Sequence, residues 1–516
     1  MRFPVGMAWR GGVDSASLVF FRVAFGLLML HHVYVEHSGY GGFRHWFVEP
    51  DFLLTYYGFG WVRPLPAWAL EGVYVAHAIA CVGIAAGAFY RVCTVVNFLA
   101  TTYFFLLEKT LYLNHSYLLC LIGFLLILLP LHRRCSVDAW LQPQLRSPFA
   151  PIWCLWLLRF QVGVAYFYGG LAKLNGDWFR GEPMRTYLAG WEARPIVGML
   201  AHSEAAVYFF TAGGLLLDLL IVPALLYRQT RVPAFLAAVF FHLSNAYLFH
   251  IAIFPWFMIA ASTLYFSPDW PLRLIRLRRF ACATPSAGGV ALQGPTFLLR
   301  FILWAWVLVQ VLVPFRHYLY PGDASWTEEG HNFAWRMMLR HKHIEPRFVW
   351  FRLGDPASGE VWHVDAHGYL PPEQASLLYR NPEALAQLAE IVAREQRATR
   401  GITPKVSAEI RLIQFSVWDA GSGETRRVNL PDILRDWQTG IVCLDPDLIL
   451  QVAHEIARRE STAGRSVEVR AEVWASLHGR AHELLIDPEV DLAAEPRNLW
   501  PKTWIMPLGS HDTGSP

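Results

Sequence analysis

The sequence predicts a polytopic α-helical membrane protein with about seven to nine transmembrane helices, followed by a soluble, predominantly β (α+β) C-terminal domain. Three observations predict it. Hydrophobic residues make up 54% of the 516 and charged residues only 16%, too apolar for an ordinary soluble chain of this length. Trp, Tyr and Phe reach 15%, which suits aromatic belts at two membrane interfaces. From about residue 316 the texture changes: charge becomes frequent and long apolar runs stop. The boundaries read as 1–315 for the membrane domain and 316–516 for the soluble one.

The first domain holds roughly nine apolar segments near the ~20 residues a spanning helix needs. They fall at about 16–35, 72–90, 92–107, 116–130, 152–171, 205–227, 232–249, 250–266 and 296–315. Arg2 and Arg10 precede the first. No small-x-small cleavage site follows it, so it reads as a retained span rather than a signal peptide. With the N-terminus inside and nine spans, twelve Lys and Arg residues lie in inner loops against seven in outer loops. The basic loop Arg273–Arg279 is the strongest contributor. The positive-inside rule then places Lys173 and the C-terminal domain on the outer face.

Past residue 316, Ser466–Leu477 alternates with period two, as a half-buried strand does. Ile410–Trp418 and Arg347–Leu353 are also strand-like. Asn381-Pro-Glu opens a helix with a cap residue, proline in the first turn and an acid behind it, running through Ala384–Glu395. The Gly- and Pro-rich stretch Ala281–Pro295 reads as a loop. The net charge of +3, without a long basic tract, points away from nucleic acid. Seven cysteines with no Cys-x-x-Cys spacing point away from a disulfide framework or structural zinc. No metal-hydrolase, P-loop, nucleophile-elbow or dinucleotide-binding signature is present, so no metal site is expected.

The chemistry therefore rests on polar residues in apolar surroundings. The span 152–171 leads into Tyr166-Phe-Tyr-Gly-Gly-Leu-Ala-Lys173, and an ionisable residue at a membrane boundary is a functional candidate by default. Desolvation favours a neutral amine, and a neutral amine can accept a proton. Arg159, Tyr166 and Lys173 are spaced by sevens and share one helix face. Gly169 and Gly170 let a flat ligand or another helix approach closely. The alternative for Lys173 is a snorkelling side chain beside Trp178 as interface anchor. Asn114-His115 opens the fourth span, either as a proton-handling histidine or as a helix cap with an interfacial ring. His242 and Asn245 share a face of another apolar helix, where interhelix bonding is the alternative. Arg22, Arg159, Asp218 and Arg300 read as pairing with one another or with carbonyls. Asn332-Phe-Ala-Trp-Arg-Met-Met-Leu-Arg340-His-Lys-His343 reads either as part of a site or as a juxtamembrane anchor.

Taken together, these segments resemble the vitamin K-dependent γ-glutamyl carboxylase family, with its N-terminal transmembrane domain of the type called HTTM. The resemblance runs over nearly the whole chain. Its markers are Glu108-Lys-Thr, Asn114-His-Ser-Tyr117, Tyr168-Gly-Gly-Leu-Ala-Lys-Leu-Asn-Gly-Asp-Trp178, Phe241-His-Leu-Ser-Asn245, Phe254-Pro-Trp256, Phe266-Ser-Pro-Asp-Trp-Pro271, Phe333-Ala-Trp-Arg-Met-Met338, Ser476-Leu-His-Gly-Arg480 and Trp504-Ile-Met-Pro-Leu508. It implies that Lys173 is the catalytic base that deprotonates reduced vitamin K, phylloquinol or menaquinol, with His115 acting near this step. The anion reacts with dioxygen, and the strong base so formed removes a γ-proton from a peptidyl glutamate. The carbanion then takes up CO2, and vitamin K epoxide is released. Asn114, Tyr166, Gly169, Gly170, His242 and Asn245 are the implied cofactor-binding residues.

The implied partners are the lipid bilayer and a glutamate-containing exported peptide or protein. The chain departs from the animal members in being shorter and in having Ala172-Lys173 where their pattern is Lys-Lys. Its Arg- and Ala-rich composition resembles a bacterial protein, which would lie in the inner membrane; a eukaryotic one would lie in the membrane of the endoplasmic reticulum. Two other readings stand beside the carboxylase: a quinol epoxidase without carboxylation, and a non-enzymatic membrane quinone- or peptide-binding protein.

Overall fold

The computed structural model describes residues 11–39, 41–194, 197–249, 251–274, 294–370, 378 and 380–509. Arg2, Arg10, Cys282, the basic loop beyond Leu274 and residues 281–293 lie outside the described residues. The chain forms two compact units. One comprises Met1–Leu319 with Gly330–Leu339, the other Tyr320–Glu329 with Arg340–Pro516.

Hydrocarbon offers a backbone no hydrogen-bond partners, so apolar runs in the first unit close their own as helices. In order these are α1 (Ala16–Ser38), α2 (Ala67–Ala86), α3 (Tyr90–Leu107), α4 (Asn114–Leu128), α5 (Ile152–Ala172), α6 (Glu204–Leu226), α7 (Arg231–Phe249), α8 (Phe254–Ser262) and α9 (Phe297–Leu312). Among the described residues, six are long and apolar enough to cross a membrane: α1, α2, α3, α6, α7, and α9 with its 3-10 extension to Leu319. Phe240, Phe301 and Trp304 point outward, each more than half exposed, a surface suited to lipid. The fifth helix, α5, has 21 residues, 14 of them buried. It carries Arg159 and Gln161, which lower its apolarity while its length still suffices.

The segments expected to span at 116–130 and 250–266 are shorter. The first is the 15-residue α4. The second is the nine-residue α8 with a 3-10 turn, Thr263–Tyr265. Nine residues rise about 14 Å, against a hydrocarbon core of about 30 Å. A left-handed Ala252 and Pro255 in the first turn delay the start of α8. Past its end, the Pro268 carbonyl accepts from Ser17 N–H at 2.9 Å, level with the start of α1. At its beginning, the Phe254 ring stacks 5.9 Å from His115, in the first turn of α4. After α4, the Leu131 carbonyl accepts from Arg22 at 3.0 Å, again near the start of α1. Both short helices thus run from the level of His115 to the end of the bundle where α1 begins. That end is pinned by Arg22, fully buried, which also donates to the carbonyls of Ala85, Arg134 and Cys135.

Small residues set the closest crossings. A Cβ on Gly26 of α1 would lie 2.6 Å from the Ala85 nitrogen of α2. The last helix joins the bundle through a buried polar layer. Gln161 donates to Gln310 at 3.1 Å, Trp306 Nε1 donates to Gln161 at 2.9 Å, and Tyr168 Oη donates to the Val311 carbonyl at 2.6 Å. The end of α9 therefore lies beside the end of α5 that carries Lys173.

The second unit is α+β and rich in antiparallel sheet. Its strands are β1 (Lys342–Ile344), β2 (Phe348–Gly354), β3 (Val361–Asp365), β4 (Lys405–Arg411), β5 (Gln414–Asp419), β6 (Thr425–Arg427), β7 (Val467–Glu472), β8 (Trp474–Leu477) and β9 (Glu483–Leu484). Among the described residues they make three three-stranded sheets, ordered β9-β8-β1, β3-β2-β4 and β6-β5-β7. The expected strand 466–477 is divided at Val473 between two of these sheets. The expected strand 410–418 likewise straddles β4 and β5. The helix read from Asn381 runs as α10 (Pro382–Arg400), with the Asn381 side chain accepting from Ala384 N–H at 3.0 Å. A second long helix, α11 (Pro446–Thr462), buries Leu448, Ile449, Val452, Ala453 and Ile456.

Candidate active site

The site begins where α5 ends. Its last turn is Gly169-Gly170-Leu171-Ala172, and Lys173 caps it, with its N–H on the Gly170 carbonyl at 3.0 Å. Asn175 then caps a short helix, Gly176–Phe179, accepting from Trp178 N–H at 2.9 Å. This sharp turn holds the Lys173 side chain inside the bundle: Lys173 is 5% exposed and does not snorkel outward. Its Nζ donates to Asp218 Oδ2 at 2.7 Å and to the Gly169 carbonyl at 3.1 Å. The Trp178 ring, itself 2% exposed, lies 5.2 Å from the same nitrogen. Trp178 is thus a wall of the lysine's pocket rather than an interface anchor, and its Nε1 is tied to the Thr211 carbonyl of α6 at 3.0 Å.

The two glycines serve different neighbours. A Cβ on Gly170 would meet Leu219 of α6 at 2.7 Å, so α5 and α6 touch backbone to side chain there. That contact brings Asp218, the preceding residue, to the lysine. A Cβ on Gly169 would lie 3.4 Å from Asp218 Oδ2 and 3.1 Å from Met337 Cε. Met337 comes from the stretch Asn332–Met338, which folds into the first unit. Phe333 N–H donates to Tyr112 Oη at 2.7 Å, and Tyr112 in turn donates to Asn114 Oδ1 at 3.1 Å. Phe333 and Trp335 pack on Tyr117 of α4 at 4.9 and 5.2 Å between ring centroids. Phe333, Trp335 and Met338 all have positive φ, a backbone state that non-glycine residues hold only where surrounding packing enforces it. Asn114 is the first residue of α4 rather than its cap, and its side chain holds Tyr112.

A second group lies about two turns down α5. Tyr166 Oη and His242 Nε2 are 2.6 Å apart. The His242 ring is 6.0 Å from Phe254, and Phe254 is 5.9 Å from His115. Tyr166, His242, Phe254 and His115 therefore form a continuous ring series across α5, α7, α8 and α4. His242 Nδ1 is buried with no hydrogen-bond partner, and His115 makes none among the described residues. Asn245, one turn along α7, is half-buried. Arg159 is far from this group: it donates to the carbonyls of Leu264 and Phe266 at 2.8 and 3.3 Å. Arg300 likewise takes the Pro295 carbonyl at 2.9 Å. Of the four charges read as pairing groups, three take carbonyls and Asp218 takes Lys173. From the sequence, Asp218 reads only as a pairing charge and Met337 only as one member of the stretch after the last span; neither is singled out as a site residue. The signal for Asp218 was a carboxylate in the middle of an apolar helix, which requires a cation or donor. Among the described residues, no three His, Cys, Asp or Glu side chains are grouped to hold a metal ion.

An apolar helical bundle with a buried lysine–carboxylate pair defines a polytopic membrane protein with an enclosed polar site, followed by a sheet-rich second unit. The model of the HTTM domain matches residues 11–270, and that of the vitamin K-dependent gamma-carboxylase lumenal domain matches residues 296–413 and 405–511. The chain belongs to the vitamin K-dependent γ-carboxylase family. No solved structure matches it.

Proposed function

We propose that the chain is a vitamin K-dependent γ-glutamyl carboxylase, with Lys173 as its base and the C-terminal unit on the extracytoplasmic side. The observation that carries this reading is the Lys173–Asp218 pair, enclosed at the end of α5. Bound, reduced vitamin K would supply through its reaction with dioxygen the basicity that removes a glutamate γ-proton before CO2 adds. The residues present fit such a group. The orphaned Nδ1 of His242 and a His115 ring that makes no hydrogen bond among the described residues are open to quinol oxygens, and Phe254 and Met337 are apolar neighbours. Tyr166, Asn114, Gly169, Gly170 and Asn245 complete the proposed cofactor-binding set, with Gly170 acting through the approach of α6.

The chain's own contribution is proton handling in a dry place. Lys173 and Asp218 need one proton between them. With that proton on Asp218, Lys173 is an uncharged amine whose lone pair can accept another from an acidic hydroxyl. When that single proton sits on Lys173 instead, Asp218 holds it as an ion pair, and the Gly169 carbonyl fixes its direction. Trp178 covers the nitrogen and Met337 closes over Gly169, an apolar setting that protects a strongly basic step from being quenched.

The test is epoxide formation by the purified protein given reduced vitamin K, dioxygen, a glutamate peptide and labelled bicarbonate. Lys173→Ala should lower epoxide formation by about 10²–10⁴-fold, the range for losing a general base. Label in the peptide establishes carboxylation. Epoxide without label selects the quinol epoxidase, and no epoxide from folded protein selects the binding-protein reading.

A further inference from the structure

The second unit carries an exposed apolar tip on a firmly braced backbone. Leu499 and Trp500 are 59% and 77% exposed, and Pro501 beside them is exposed too. Four sets of bonds hold them there. Asn498 Oδ1 accepts from Trp500 N–H at 2.9 Å. Lys502 turns inward, with 11% of its side chain exposed, and its Nζ donates to the carbonyls of Asn498 and Trp500. Tyr320 Oη donates to the Leu499 carbonyl at 2.9 Å. Arg497 is fixed on Asp447 by two bonds, at 2.8 and 3.0 Å. The usual surface order is inverted: the cations face in and the indole faces out, where in water the reverse is expected.

Tyr320 indicates which partner covers this tip. It is the first residue of the second unit and follows the 3-10 segment Val313–Leu319 that continues the apolar helix α9. Tyr318 and Leu319, the residues just before it, are 63% and 80% exposed. One tyrosine side chain therefore separates the tip from the point where the chain leaves its lipid-facing helix. Tryptophan is the residue that favours the headgroup level of a bilayer. We propose that Leu499-Trp500-Pro501 is a lipid-interface anchor, seated in the headgroup region of the bilayer that α9 crosses.

The test uses the full chain, one copy per lipid nanodisc. An environment-sensitive NBD label is attached at Trp500→Cys and, in parallel, at Ser358→Cys on an exposed turn of the same unit. The signal of the unsubstituted chain is subtracted. The label at 500 should be quenched several-fold more by doxyl-labelled lipid than the label at 358, and should be shielded from aqueous cobalt. Equal quenching by cobalt at both positions, with none by doxyl lipid, would overturn the proposal. Shielding from cobalt without doxyl quenching would also overturn it, because protein rather than lipid would then cover the tip.

Discussion

An ammonium and a carboxylate closed off from water depend on each other: removing one leaves the other as an unpaired buried polar group. Lys173→Ala and Asp218→Ala, measured singly by denaturant unfolding in detergent, should each cost about 3–5 kcal/mol. The double substitution should cost clearly less than their sum, because both orphans go together; a strictly additive cycle would mean that the 2.7 Å contact carries no energy. Lys173 was legible in the sequence because a charge at the end of an apolar run announces itself. Asp218 was visible but unassigned. Its partner lies 45 residues away in the chain, and periodicity along one helix does not report which face of another it meets. Met337 was less legible still, because three left-handed residues in Asn332–Met338 break any periodic reading of that stretch.

At the scale of elements, the crossing of α5 and α6 is set by one glycine. Gly170→Ala would drive a methyl group into Leu219, whose nearest atoms lie at 2.7 and 2.8 Å from the Cβ position and whose backbone nitrogen lies at 3.0 Å. The helices must separate, at about 1–3 kcal/mol. Gly213→Ala on the open side of α6, with nothing within 4 Å, should instead gain about 0.5–1 kcal/mol from helix propensity. Thermal unfolding of the two variants side by side checks the pair. The stretch Asn332–Met338 hangs on Tyr112 in the same way. Tyr112→Phe orphans the Phe333 N–H, worth about 1–3 kcal/mol. It should speed hydrogen exchange across 333–338 while leaving that of α1 unchanged; unchanged exchange at 333–338 would remove Tyr112 from this role. The long spans were legible because length and apolarity decide them. The shortness of α4 and α8 was not, because what cuts them is a turn at Ala252 and packing against His115 and α1 rather than any loss of apolar residues.

For the whole molecule, the assignment of Lys173 to the outer face is testable at two positions. Cys135 is exposed and lies near the start of α1, where its carbonyl meets Arg22 at 2.7 Å. In cells expressing the chain, a membrane-impermeant maleimide should spare Cys135 until the membrane is opened. The same reagent should label Ser422→Cys, an exposed residue of the second unit, from outside at once. Mass spectrometry at each cysteine reads both, and labelling of Cys135 in intact cells would invert the orientation. The two-part architecture was legible from composition alone, whereas the division of residues 320–339 between the units was not, since it depends on long-range packing. Arg22 has a consequence for how this architecture is made. Its acceptors come from the end of α2 and from the chain beyond α4, so none exists when α1 alone has been synthesised. A nascent first helix gains the Ala85 acceptor with α2, and the carbonyls of Leu131, Arg134 and Cys135 only once α4 has followed. The side chain of Arg22 thus becomes fully bonded only when the first four helices are together, so that its bonds report their joint assembly.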